Sequence, residues 1–286
     1  MTIDSHQHFW NYDPVRDAWI TSDMHVIRTD FTPYDLLREM KENGVDGSVA
    51  VQADPSENET VFLADIAERH DFVKGVVGWI DLCSKYADER LDFYHRTVKK
   101  VKGFRHIVQA EQDDNYLLRD DFCRGISLLK KYHYTYDILI YPKQLPAAIR
   151  FVEKFPDQPF VIDHIAKPDI KNRKTEPWTS QMKEIARFPN VYCKVSGLVT
   201  EADWKQWKPD DLKPYFDVVF GSFGTKRLMF GSDWPVCLVA GTYARVKKVV
   251  TDYLQPFTEI ERNAVMGNNA ISFYRLDLQN NPTSNL

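Results

Sequence analysis

The chain has 286 residues, enough to bury a large core and within the range over which an α/β barrel runs as one unit. Its 43% hydrophobic, 27% charged and 13% aromatic content excludes a disordered or fibrous protein. A formal net charge of -4, with acidic and basic residues mixed along the chain, excludes an electrostatic footprint for nucleic acid. Cys83, Cys123, Cys193 and Cys237 are scattered and form no CxxC pair, so neither a disulfide framework nor a zinc knot is expected. With no secretory leader pattern at the N-terminus and no stretch approaching a membrane span, the expected setting is the reducing cytoplasm, away from membranes.

Along the chain, short β-rich runs alternate with longer segments of helical period, the pattern of repeated βα units on a parallel sheet. The first run, "TIDSHQHF" (2–9), carries His6 and His8 near its end. The connection 10–31 is too long for a simple link and is placed over the barrel mouth as a partial lid. "TPYDLLREMKENG" reads as a helix with Thr32 at its N-cap, Pro33 in its first turn and Gly44 as its stop. Seven further runs follow, over 45–53, 72–81, 101–109, 135–141, 159–168, 191–198 and 227–235, at intervals of about one βα unit. "PKQLPAAIRFVEKFP" and "PWTSQMKEIARFP" are helical segments that each run into a proline before the next strand, and two more helical segments follow the eighth run. Eight alternations predict a (β/α)8 barrel of the TIM type, a single domain over 1–275 with a polar tail over 276–286. No GxGxxG follows any strand, which removes the main reason to prefer a dinucleotide fold.

In such a barrel the active site lies at the C-terminal ends of the strands. Those ends hold most of the unusual polar residues: His6 and His8, then Arg105, His106 and Gln109, Asp137 and Tyr141, Asp163, His164 and Lys167, Lys194 and Ser196, and Asp233 with Trp234. Side chains repeat every second residue on a strand, so His6 and His8 project to one side and could share one divalent cation, with His164 and Asp233 completing the set. Any one of these four alone reads as an ordinary satisfied polar residue; their convergence at one mouth points to function. Asp233, in "FGSDWP", could bind metal or take a proton from water, although an Asx turn would also explain it. Arg105 would answer an anion or a polarised carbonyl, or a structural carboxylate such as Asp137 or Asp163; His106, its neighbour, faces the other way. Trp10, Trp79, Tyr141 and Trp234 could wall a small ring, and Ser196 lacks the G-x-S-x-G elbow of a serine hydrolase.

Taken together, "DSHQHFW", "GFRHIVQ", "DHIAKP", "KVSGL" and "FGSDWP" resemble, in order and over residues 2–275, the amidohydrolase superfamily, and within it the branch containing L-fuconolactone and L-rhamnonolactone hydrolases. The resemblance implies hydrolysis of the ester inside a sugar lactone. It implies Asp233 as base on water, with His164 and Arg105 beside it as catalytic groups. It implies His6, His8, His164 and Asp233 as ligands of one divalent ion, zinc being the expected one, in a branch where metal is dispensable. The fifth strand offers no histidine and the fourth no bridging lysine or glutamate, which argues against a two-metal centre. Trp10, Gln52, Gln109, Tyr141 and Trp234 are the expected substrate contacts, and the exposed helices of a barrel suit pairing with a second copy. Rival readings are a dicarboxylate-lactone hydrolase, a metal-dependent aromatic-acid decarboxylase on the same scaffold, and a non-catalytic sugar-binding barrel.

Overall fold

In a computed structural model, which describes residues 1–278, all eight expected strands are present. They are β1 (Ile3–Gln7), β2 (Gly47–Val51), β3 (Val73–Gly78), β4 (Val101–His106), β5 (Thr135–Ile138), β6 (Phe160–Ile162), β7 (Val191–Val195) and β8 (Leu228–Phe230). Each pairs in parallel with the next, in chain order. The strands are shorter than the β-rich runs because each run continues into the loop that carries polar residues. Closure comes from the segment just after β8: Asp233 N–H donates to the His6 carbonyl (2.9 Å) and His8 N–H to the Trp234 carbonyl (2.7 Å). At this seam Gly231 is required by close approach, since a Cβ there would lie 2.8 Å from the His6 Cβ.

Between strands run α1 (Pro33–Glu42), α2 (Glu57–Arg69), α3 (Ala87–Thr97), α4 (Asp120–Leu129), α5 (Leu145–Lys154), α6 (Trp178–Ile185) and α7 (Pro209–Phe223), with α8 (Tyr243–Tyr253), α9 (Glu259–Asn263) and α10 (Asn269–Tyr274) after β8. α1 begins as expected, with Thr32 and Asp35 in a reciprocal capping box, Pro33 in the first turn, and Gly44 left-handed just past the end. The main apolar core lies between sheet and helices. A second cluster, Ile3, Val49, Val77, Val161 and Met229 with Phe273, Tyr274 and Leu276, plugs the barrel end opposite the site. The tail expected from 276 onward lies, after Leu278, outside the described residues.

The long 10–31 connection folds back on itself through paired hydrogen bonds between Trp10 and Phe31. Trp10, Ile20 and Ile27 anchor it on Val236, Leu238 and Val239, while Arg16, Trp19 and Met24 reach the cavity over the strand ends. Among the described residues no helix is long and apolar enough to cross a membrane.

Candidate active site

The strand ends open into a cavity of about 650 Å³ with His8, Arg105, His164 and Asp233 on its floor. His6 and His8 do face one side of β1: their Nε2 atoms are 3.2 Å apart. His8 Nδ1 lies 2.7 Å from the Val51 carbonyl, which only an N–H can satisfy, so the His8 Nε2 carries its lone pair into the site. His8 Nε2 is 3.6 Å, and His164 Nε2 3.8 Å, from Asp233 Oδ1.

Beneath this floor is a buried polar layer. Lys194 Nζ, from β7, sits 2.5 Å from Asp137, 3.0 Å from Asp163 and 3.1 Å from His6 Nδ1. Arg105 donates to Asp163 (2.8 Å) and to the Gln52 carbonyl, and its Nη1 is 3.2 Å from His6 Nε2. Tyr274 of α10 donates to Asp137 from below (2.8 Å). Burial pushes the Asp163 carboxyl upward, but Lys194, His6 and Arg105 outweigh it and hold the group well below the carboxylate range.

His164 is delivered by an unusual turn. His164, Ile165, Ala166 and Lys167 follow β6 with φ of 52°, 49°, 59° and 50°, four consecutive non-glycine residues in the left-handed region, each costing about 1–2 kcal/mol. The Trp178 indole N–H pins the turn at the Ile165 carbonyl (2.7 Å), and Ser196 meets His164 Nδ1 at 2.9 Å. Gly197, itself at φ 67°, leaves room for the imidazole, because a Cβ there would fall 2.6 Å from its Nδ1.

Burial keeps all three imidazoles neutral. It depresses His6 well below the ordinary range with help from Lys194, lowers His8, and holds His164 down to about 3. For Asp233 burial works upward, but the neighbouring His164, His8 and Lys167 together hold it below its ordinary value, so it remains ionised. Neutral imidazoles around a carboxylate suit a divalent cation. Ligands about 2.1 Å from a tetrahedral zinc stand roughly 3.4 Å apart, close to the separations of 3.2, 3.6 and 3.8 Å found here. A lone pair on His8 Nε2 facing His6 Nε2 also calls for a proton or a cation between them.

The model of a family described as amidohydrolase matches residues 3–276. This chain belongs to the amidohydrolase family. A protein of Burkholderia multivorans named L-fucono-1,5-lactonase is 38% identical over 287 residues, covering 96% of each chain. One of the same name from Burkholderia ambifaria is 37% identical, again with 96% of each covered. A crystal structure of an amidohydrolase from Burkholderia multivorans with bound zinc superposes with a TM-score of 0.92 at 37% identity, over 97% of this chain and all of that one.

Within this amidohydrolase, His6, His8, His164, Asp233 and Arg105 converge, and Gln109 and Tyr141 line the cavity. Three expected substrate contacts, Trp10, Gln52 and Trp234, lie behind its wall instead of lining it. Trp10 donates its indole N–H to the Thr29 carbonyl and is buried under the 10–31 connection. Trp234 packs on Phe9 and Phe31. Gln52 is fully buried, with its amide donating to the Arg105 carbonyl. Trp79 holds His106, which stacks on Tyr116 and bonds Glu111; it is outside the polar layer but, like Arg105, still lines the cavity. Of the two structural carboxylates considered for Arg105, Asp163 is the partner and Asp137 serves Lys194. Sequence reasoning gave no role to Lys194, Ser196 or Lys167 and did not single out Glu201. A charged residue two before a strand-end serine was the only signal available for Lys194.

Proposed function

We propose that this protein hydrolyses the lactone ring of a neutral sugar lactone, L-fucono-1,5-lactone to L-fuconate before others, with an L-rhamnonolactone the nearest alternative. The observation carrying the reading is an ionised Asp233 beside the neutral imidazoles of His8 and His164 on the floor of a roomy cavity. Support comes also from the lactonase names of relatives that match nearly end to end. Among the described residues the cavity wall carries four carboxylates, Asp54, Glu111, Glu201 and Asp233, against three cations, Arg16, Arg105 and Lys167. Two of those cations are already held, Arg16 by Asp17 and Arg105 by Asp163. Such a wall repels a dicarboxylate lactone and accepts a neutral one.

In the reading we favour, Asp233 takes a proton from water as the oxygen attacks the lactone carbonyl. The Arg105 guanidinium, oriented by Asp163, donates to the oxyanion of the tetrahedral intermediate. When the ring C–O bond breaks, Asp233 returns its proton to the departing alkoxide, leaving the open hydroxy acid. His6, His8, His164 and Asp233 would hold a divalent ion, zinc being our choice, and such an ion supplies Lewis acidity toward the carbonyl oxygen. The four cysteines are free thiols, in keeping with the reducing, cytoplasmic setting we favour.

The test is hydrolysis of L-fucono-1,5-lactone followed with a pH indicator, with uncatalysed hydrolysis subtracted. Asp233→Asn should lower turnover about 10²–10⁴-fold while circular dichroism stays unchanged. Repeating the wild-type assay after chelation decides whether the ion is required. No rate above background for fucono- and rhamnonolactones would refute the reading.

A further inference from the structure

We infer that Lys167 and Glu201 form a hydroxyl-reading subsite, a donor and an acceptor that grip two hydroxyls on neighbouring carbons of the lactone ring. The inference rests on the lactonase reading and extends it to the part of the substrate remote from the reacting carbonyl.

Both residues line the cavity that holds Asp233. Lys167 is the last residue of the left-handed turn after β6, and Glu201 ends a 3-10 turn after β7, Val199–Glu201. The two loops are tied by a hydrogen bond from Lys171 N–H to the Glu201 carbonyl (3.0 Å), so the pair has a fixed separation. Lys167 Nζ stands 3.8 Å from Glu201 Oε1, beyond hydrogen-bond length, although the side chains are only 16% and 20% exposed. Tyr141 flanks the ammonium, with its ring centre 5.6 Å away. Two charged groups that have given up most of their water without closing on each other keep hydrogen-bonding capacity for a third molecule.

A structural ion pair is the competing account. An ion pair held beyond hydrogen-bond length returns little stability, whereas the turn that aims Lys167 holds four residues in a costly conformation. The chemistry of the pair also selects its ligand. A lone lysine would favour an anion, but with Glu201 beside it an anion is repelled, while a diol can accept from the ammonium and donate to the carboxylate. Trp204, on the same β7 loop, adds an apolar face for ring C–H groups.

The experiment compares kcat/KM for L-fucono-1,5-lactone and for δ-valerolactone, the same ring without hydroxyls, in wild type, Lys167→Met, Lys167→Arg and Glu201→Gln. If the plain ring turns over too slowly, inhibition by δ-valerolactam is read in its place. Lys167→Met and Glu201→Gln should each lose about tenfold to a hundredfold on the sugar lactone and almost nothing on the bare ring, with Lys167→Arg recovering part of the loss. Equal losses on both rings would mean that the pair only supports the loops and would overturn the inference. Undiminished sugar-lactone hydrolysis in both variants would overturn it as well. Failure of the wild type to hydrolyse any lactone would instead defeat the lactonase reading, and the inference with it.

Discussion

Lys194→Met removes the central cation of the polar layer and leaves its partners in place. Lys194 is fully buried and stands within 3.1 Å of Asp137, Asp163 and His6. Without it Asp163 keeps Arg105, but Asp137 keeps only the Tyr274 hydroxyl. Breaking a buried ion pair by removing one partner costs about 3–5 kcal/mol, and at roughly 2–4 °C per kcal/mol for a chain of this size the melting temperature should fall by about 10 °C. The loss should also depend on pH. Burial already raises Asp137 to about 6 with Lys194 present, and removing the cation raises it further. A carboxyl whose folded pKa exceeds its unfolded value destabilises as pH rises from the unfolded pKa toward the folded one, so the variant should recover part of its stability between pH 8 and pH 5. Lys194→Met with Asp137→Leu should be more stable than Lys194→Met alone, because no carboxylate is stranded. Urea denaturation of the three proteins at both pH values measures all of this. A loss under about 1 kcal/mol, a loss equal at both pH values, or no rescue by the second substitution would refute the reasoning.

Ser196→Ala removes the hydroxyl beside His164 Nδ1 and should lower kcat/KM by about tenfold with little change in melting temperature; a full loss of folding would show that the contact is structural instead. Arg105→Lys keeps the charge but not the planar fork that binds Asp163 and the Gln52 carbonyl together, so kcat should fall about 10²-fold while KM changes little, as steady-state kinetics would reveal. His164 is held down to about 3, so below the unfolded value of 6.5 the unfolded chain takes a proton that the folded one refuses. Wild type should therefore lose about 1.4 kcal/mol per pH unit from this group as pH falls from 6.5 toward 3, and His164→Asn should show a stability–pH slope shallower by that amount in parallel denaturation series.

Much of this fold was legible because a parallel strand buried on both faces is written as a short β-rich run, and eight such runs stand at βα spacing. The site was legible where a local pattern marks it, as with the alternate histidines His6 and His8 at the end of β1 and the aspartate that "FGSDWP" places after β8. Side-chain direction just past a strand was not: Gln52 lies one residue beyond β2, and there the chain bends so that the amide turns to the Arg105 carbonyl rather than to the cavity. Nor does "DHIAKP" announce positive φ, since it contains no glycine or asparagine; the turn is imposed by Trp178 on one side and the room left by Gly197 on the other. Glu201 lies in a loop without periodicity, so only the fold shows that it meets Lys167. Lys194 looked like any strand lysine, and its inward direction follows from the partners that surround it.

The seam between β1 and the segment after β8 makes barrel closure and site assembly one event. The amide of Asp233 bonds the His6 carbonyl, that of His8 bonds the Trp234 carbonyl, and Asp4 accepts from both the backbone and the hydroxyl of Ser232. His6 and His8 lie at the end of β1, yet their backbone partners at the seam come only from the segment after β8. A chain cut short of that segment lacks Asp233 and the seam, and so lacks a complete site. Parting the seam would draw Asp233 away from His6 and His8 without unfolding the helices between α1 and α7, so activity should be lost before helical signal on denaturation.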